Sequence, residues 1–228
     1  MTKEILREIY IKSCFEELSV FKPGNHSIHS KILGMNEFKF REAAKISSQI
    51  LTNQELSIGE AIYNSAKKCK IKLNSNYNLG IILLCAPLIK LSMQRVNNFK
   101  SDLKYFLKNI SKKDGKLIIK AIEFVKPAGI KKYEGEGNIF KMKEQLSFGE
   151  IMKIGSKWDR ISACYSDNFS EIFDFGLPLF TYLRNRTTLQ NATEILYINF
   201  LSNSMDSHLL RKFGKKKAEV IRKKSTQI

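Results

Sequence analysis

Residues 75–88, SNYNLGIILLCAPL, form the most apolar run of the chain, and the run opens on three polar side chains, Ser75, Asn76 and Asn78. From Leu79 onward the aliphatic stretch is too short to cross a bilayer. Pro87 interrupts it and Lys90 follows two residues after its end, so it reads as a buried helix rather than a membrane span. A helix that is apolar on all sides must be covered by other elements. Its polar opening has two readings. Asn76 or Asn78 caps the helix through a side-chain oxygen. Alternatively, the free N–H groups and positive dipole end receive an anionic ligand, with Gly80 leaving room for close approach.

Outward from this segment the helical period continues. In TKEILREIYIKSCFEEL (2–18) it places Ile5, Ile9 and Leu18 near one face, ending before Lys22-Pro23-Gly24. In NEFKFREAAKISSQIL (36–51) the stripe is Phe40, Ala43, Ala44, Ser47 and Leu51. Ser57-Ile-Gly-Glu60 and Ser147-Phe-Gly-Glu150 are two capping boxes. Further helices fit 77–93, 99–110, 114–125, 148–166, 168–184 and 190–204, with a basic one at 214–224. No convincing alternating strand and no internal repeat is present. The expectation is an all-α, single-domain bundle of roughly eight to ten helices over residues 1–228, with ligand loops at helix ends.

Composition bounds the function. A chain of 228 residues with 43% hydrophobic and 11% aromatic content builds a core and is not disordered. The amino terminus has no apolar signal region and the four cysteines form no CxxC pair, so the reading is a cytoplasmic protein with reduced thiols and no structural zinc. The formal charge is +17, but 31 of the 39 basic residues are lysine and only 8 are arginine. Nucleic-acid faces cluster arginine. Dispersed lysine fits a solvated surface with a general attraction for anions, and no specific nucleic acid or membrane partner is expected.

The loops carry the chemistry. FKPGN (21–25) places Pro23 and Gly24 at the centre of a type II turn. It is either a connector or a place where Gly24 admits a phosphate with Lys22 as counter-charge. Glu60 is accounted for by its capping box.

Taken in order, EELSVFKPGN, GMNEFKFREAA, SIGEAI, NYNLGIILLCAPL, VKPAGI, WDRISACY and MDSHLLRKFG resemble the triphosphoribosyl-dephospho-CoA synthase family, from about residue 13 to about residue 220. The likeness is to the branch with an N-T-N-L-G-I-x-L-L-x-A-P-L signature. The resemblance implies an all-α transferase that takes ATP and 3′-dephospho-CoA, joins a triphosphoribosyl group to the acceptor ribose and releases adenine. Its product is the precursor of an acyl-carrier prosthetic group.

By the same resemblance, Lys22, Gly24, Asn25, Asn76, Asn78, Gly80, Gly129, Arg160, Tyr165, His208, Arg211 and Lys212 would contact substrate or phosphate. Asp159, Glu17 and Glu60 would supply catalytic carboxylates, with Asp159 and Glu60 as magnesium ligands. Asp159 is the first choice for the acid–base or metal role and is expected within a continuous helix, beside a stripe of Ile154, Trp158 and Ile161. Several positions depart from the family pattern. Tyr77 stands for threonine and adds bulk at the expected site, Asn74 stands for glycine, Ala43 for serine, and Ser27 and Leu33 for histidine. Ala128 and Lys131 occupy glycine places, and Glu136 or Asn138 fills an acidic one. The alternatives are a transferase with a shifted acceptor and a non-catalytic, lysine-rich nucleotide- or nucleic-acid-binding protein.

Overall fold

A computed structural model describes residues 1–22, 25–30, 34–127, 146–204, 206–207, 209–210 and 214–226. These residues contain no strand. They form eleven α-helices and one π-helical turn: α1 Lys3–Ser19, α2 Glu37–Leu51, α3 Ile58–Leu73, α4 Leu79–Ser92, α5 Phe99–Lys108, α6 Lys112–Val125, α7 Phe148–Gly155, α8 Arg160–Ser166, the π turn Glu171–Gly176, α9 Leu177–Arg184, α10 Leu189–Asn203 and α11 Lys215–Ser225. The all-α expectation holds, and the described helices are slightly more numerous than expected.

The main core is built by α1 to α4 and α6, with α7 and α8 closing one end. The α2 stripe is as the sequence read it: Ala43, Ala44, Ser47 and Leu51 are buried, and Phe40 packs against the core. Both capping boxes are present, at Ser57–Glu60 and Ser147–Glu150. At Gly59 an added Cβ would lie 2.5 Å from Asp114 Cα, so only glycine lets α3 come this close to the start of α6. Its N–H donates to Asp114 Oδ1 at 2.9 Å.

On α1 the face is a correction. Ile5 and Ile9 are 48% and 49% exposed, and the buried stripe is Leu6, Tyr10, Cys14 and Leu18. Both sets have helical spacing, so periodicity could not choose between them. The Tyr10 hydroxyl, 2.9 Å from Ser47 Oγ in the buried interface, fits the second orientation.

α4 runs through the middle of this core, with Pro87 inside the helix and fully buried. Pro87 has no N–H to give to the Leu83 carbonyl one turn earlier. The Tyr165 hydroxyl from α8 donates to that carbonyl instead, at 2.6 Å. Burial pushes the Tyr165 phenol well above its ordinary range, so it stays a neutral donor. Its ring meets Phe148 and Phe169 edge-on, 5.4 and 5.6 Å between centroids.

One expected helix is broken, and a second starts late and contains a π turn. The 148–166 stretch stops at Gly155 and restarts at Arg160, with Asp159 as the new N-cap. The 168–184 stretch begins with Asn168 and Phe169 in left-handed conformation, φ 58° and 61°, and continues as the π turn and α9. Beyond it α10 and α11 enclose a small second core of Leu201, Leu209 and Ala218. All four cysteines are free thiols, pushed up to about 12 by burial, and therefore stay protonated. Among the described residues no helix is long and apolar enough to cross a membrane.

Candidate active site

A cavity of about 1270 Å³ opens between the core helices α1, α4, α6, α7 and α8 on one side and the π turn, α9 and α10 on the other. This exceeds the roughly 300–1,000 Å³ of common small-molecule sites. Its walls are largely aliphatic and aromatic, with Leu83, Ile122, Phe148, Phe180 and Phe200 among them. Its charges run against the surface. The described lining carries five carboxylates, Glu16, Glu17, Asp159, Glu171 and Asp206, but only two cations, Lys12 and Arg160.

Most of these groups are already engaged. Glu17 Oε1 accepts from the ammonium of Lys22, whose side chain is almost wholly buried. A Lys22 carbonyl to Asn25 N–H bond of 3.0 Å closes the turn that the sequence predicts here, while Pro23 and Gly24 lie outside the described residues. Asn25 Nδ2 donates to the Tyr197 hydroxyl at 2.8 Å, and the Phe21 N–H donates to Glu194 Oε1 at 2.9 Å. These two bonds tie the turn to α10, and burial raises the Tyr197 phenol above its ordinary value.

Asp159 caps α8: its Oδ2 accepts from the Ser162 N–H at 2.9 Å and the Ser162 hydroxyl at 3.1 Å. Arg160 donates through Nη2 to Glu171 Oε2, and its backbone N–H donates to Ser207 Oγ at 3.2 Å. Asp206 Oδ1 accepts from the Leu209 N–H at 2.9 Å. Among the described lining residues, Glu16 is the carboxylate for which no hydrogen bond or ion pair of the side chain is found.

The two asparagines that open α4 go different ways. Asn76 lines the cavity, and its Oδ1 accepts from the Leu79 N–H at 3.2 Å. Asn78 is buried, and its Nδ2 donates to Ser47 Oγ at 3.0 Å, inside the Tyr10–Ser47 contact rather than at the cavity. Gly80 does line the cavity; a Cβ there would meet Ile161 Cδ1 at an ordinary 3.4 Å, so helix packing does not demand glycine. Tyr77 is buried against the edge of Phe40, 5.0 Å between centroids. Its bulk is therefore taken up by the core and not by the cavity.

Tyr165 borders the cavity, but its hydroxyl is spent on Leu83. Glu60 lies outside the cavity as the α3 cap. The Ser57 N–H, with Lys113 beside it, holds its carboxyl below the usual range. Asp159 and Glu60 are thus not brought together at this cavity. Gly24, Gly129, His208, Arg211 and Lys212, and the departures Leu33, Ala128, Lys131, Glu136 and Asn138, lie outside the described residues.

Sequence reasoning missed Glu16, Glu171 and Tyr197. Glu16 stood next to the chosen Glu17, and only the rotation of α1 shows that both reach the cavity. Glu171 had a faint signal, a carboxylate inside the apolar NFSEIFDFGL stretch. Tyr197 had none.

Chemically, the arrangement offers an apolar chamber with carboxylates beside two cations. The carboxylates suit proton transfer, developing positive charge or a divalent cation, and the cations suit an anion. A family model described as CitG, ATP:dephospho-CoA triphosphoribosyl transferase, matches residues 3–228. No curated protein and no solved structure gives a match.

Proposed function

The chain belongs to the ATP:dephospho-CoA triphosphoribosyl transferase family, and we propose that it transfers the triphosphoribosyl group of ATP to a ribose hydroxyl of 3′-dephospho-CoA, releasing adenine. The observation that carries this reading is the cavity itself, about 1270 Å³ in volume, whose described lining holds five carboxylates in a strongly cationic protein.

In this reaction the bond from adenine to the ribose C1 of ATP breaks, and a bond from C1 to the acceptor oxygen forms. The hydroxyl proton passes to a carboxylate and then to the departing adenine. Positive charge grows on C1 as adenine leaves, and a nearby carboxylate stabilises it. Asp159 takes this role in our reading, since its place on the α7–α8 break fixes it at the cavity wall. Glu17, paired with Lys22, is the second carboxylate. Arg160 and Lys12 take phosphate oxygens. The aliphatic and aromatic parts of the wall offer no partners to water, which would otherwise hydrolyse the activated C1.

The donor set fits magnesium in one way. Magnesium uses one or two carboxylates plus substrate phosphates rather than an all-protein cage. Cavity carboxylates are present, while no group of three or more His, Cys, Asp or Glu residues among the described ones could hold a metal. Magnesium carried in on the triphosphate would offset its charge beside a described lining that holds more carboxylates than cations.

The test is incubation with ATP, magnesium and dephospho-CoA, followed by mass analysis. Released adenine and a product heavier than dephospho-CoA by one triphosphoribosyl group are expected. Intact substrates at saturating concentration would refute the reading, and adenine release with a different acceptor would redirect it.

A further inference from the structure

A cavity that takes a polyphosphate should leave its arginine open to the anion, yet Arg160 donates to Glu171 inside the cavity. The chain reaches this contact through unfavourable backbone. Asn168 and Phe169 are both left-handed, and for a bulky aromatic that conformation is an outlier. Phe169 is fully buried, which locks the reversal in place, and its N–H donates to the Cys164 carbonyl at 2.7 Å. The π turn follows at once, with Glu171 as its first residue. Strained residues and π turns both recur where a side chain must be aimed for function. The other end of Arg160 is also fixed, by Ser207 on its backbone N–H.

We propose that Glu171 is a positioning residue: it orients the Arg160 guanidinium for a polyphosphate chain and, by offsetting its charge, limits how tightly that chain is held. This rests on the transferase reading above. A guanidinium has five N–H donors in a rigid fork. Glu171 engages Nη2, which leaves donors on Nε and Nη1 for phosphate oxygens in a set direction. The offset charge has a purpose in this chemistry, because the transferred group keeps its triphosphate and the product must still leave.

The test uses inorganic tripolyphosphate as the probe. Its affinity is measured by titration calorimetry for the parent, Arg160→Gln, Glu171→Gln and Glu171→Asp, alongside melting temperatures and kcat and KM for ATP from adenine release. Arg160→Gln should weaken tripolyphosphate binding by about tenfold or more, as loss of a charge-assisted contact does. Glu171→Gln keeps the shape and removes the opposing charge, so it should bind about threefold or more tighter while kcat falls by about tenfold. Glu171→Asp keeps the charge but is one methylene short; affinity should stay within about twofold of the parent while kcat remains depressed.

A merely structural glutamate gives the opposite pattern in Glu171→Gln, weaker binding with a lower melting temperature. Weaker or unchanged binding in Glu171→Gln, no binding by the parent, or parental kcat in Glu171→Asp each overturns the proposal. Should Glu171→Gln fail to fold, Glu171→Asp decides alone on the same criterion. A parent that binds tripolyphosphate through Arg160 but releases no adenine sinks the transferase reading and leaves the binding result intact.

Discussion

Tyr165→Phe tests how the core sets the cavity wall. In α4 the Leu83 carbonyl has no donor one turn on, because Pro87 carries no N–H, and the Tyr165 hydroxyl supplies the missing bond at 2.6 Å. Phenylalanine keeps the ring contacts with Phe148 and Phe169 and removes only the donor. A buried carbonyl left unsatisfied costs about 1–3 kcal/mol. At about 2–4 °C per kcal/mol for a chain of this length, the melting temperature should fall by about 2–12 °C. The mechanism also predicts coupling. Pro87→Ala restores an N–H to the Leu83 carbonyl, so Tyr165→Phe should cost less there by about 1 kcal/mol or more in a double-mutant cycle. Urea unfolding of the four proteins measures both quantities, and KM for ATP in Tyr165→Phe should stay near the parental value. An effect under about 0.5 kcal/mol, or the same cost with and without Pro87, would refute the assignment of this hydroxyl to the proline gap.

Asp159→Asn should lower adenine release by about a hundredfold or more with little change in melting temperature, since asparagine is an equally good N-cap for α8 but cannot take a proton; a parental rate would move the role to Glu17 or Glu16. Lys90 is a second test, by pH. Its buried ammonium donates to the Asn53 and Leu56 carbonyls at 2.5 and 2.6 Å, and burial lowers it from 10.5 to about 8. Between those values the unfolded chain binds the proton and the folded chain does not, so this contribution to stability is complete above 10.5 and is lost as pH falls through about 8. The difference in urea stability between the parent and Lys90→Met should therefore grow from pH 7.5 to 9.5, and a flat difference would show that Lys90 stays charged in the fold. DNA binding should be weak, salt-sensitive and indifferent to sequence, because the charge is mostly lysine; nanomolar affinity for one sequence at physiological salt, read by fluorescence anisotropy, would contradict this.

What the sequence alone determined was local. Helical period, the Ser57 and Ser147 capping boxes and the α2 stripe depend on residues three or four apart, and all are present. The ordered motifs also pointed to the family that residues 3–228 match. What only tertiary structure decided was direction. Ile5–Ile9 and Leu6–Tyr10 are equally helical, and the buried face includes a hydroxyl contact to a residue 37 positions away. Asn76 and Asn78 look interchangeable in the sequence, yet Asn78 meets Ser47, 31 positions distant, and only Asn76 lines the cavity. Tyr165 read as a substrate contact through the resemblance; the sequence placed Pro87 inside a helix but gave no sign that a hydroxyl 82 positions beyond Leu83 would supply the missing donor. Glu171 reaches Arg160 only through two left-handed residues and a π turn, conformations that local propensity disfavours and that burial of Phe169 holds in place. A propensity sums preferences over one turn of chain; the side chains that face the cavity were chosen by contacts many turns apart.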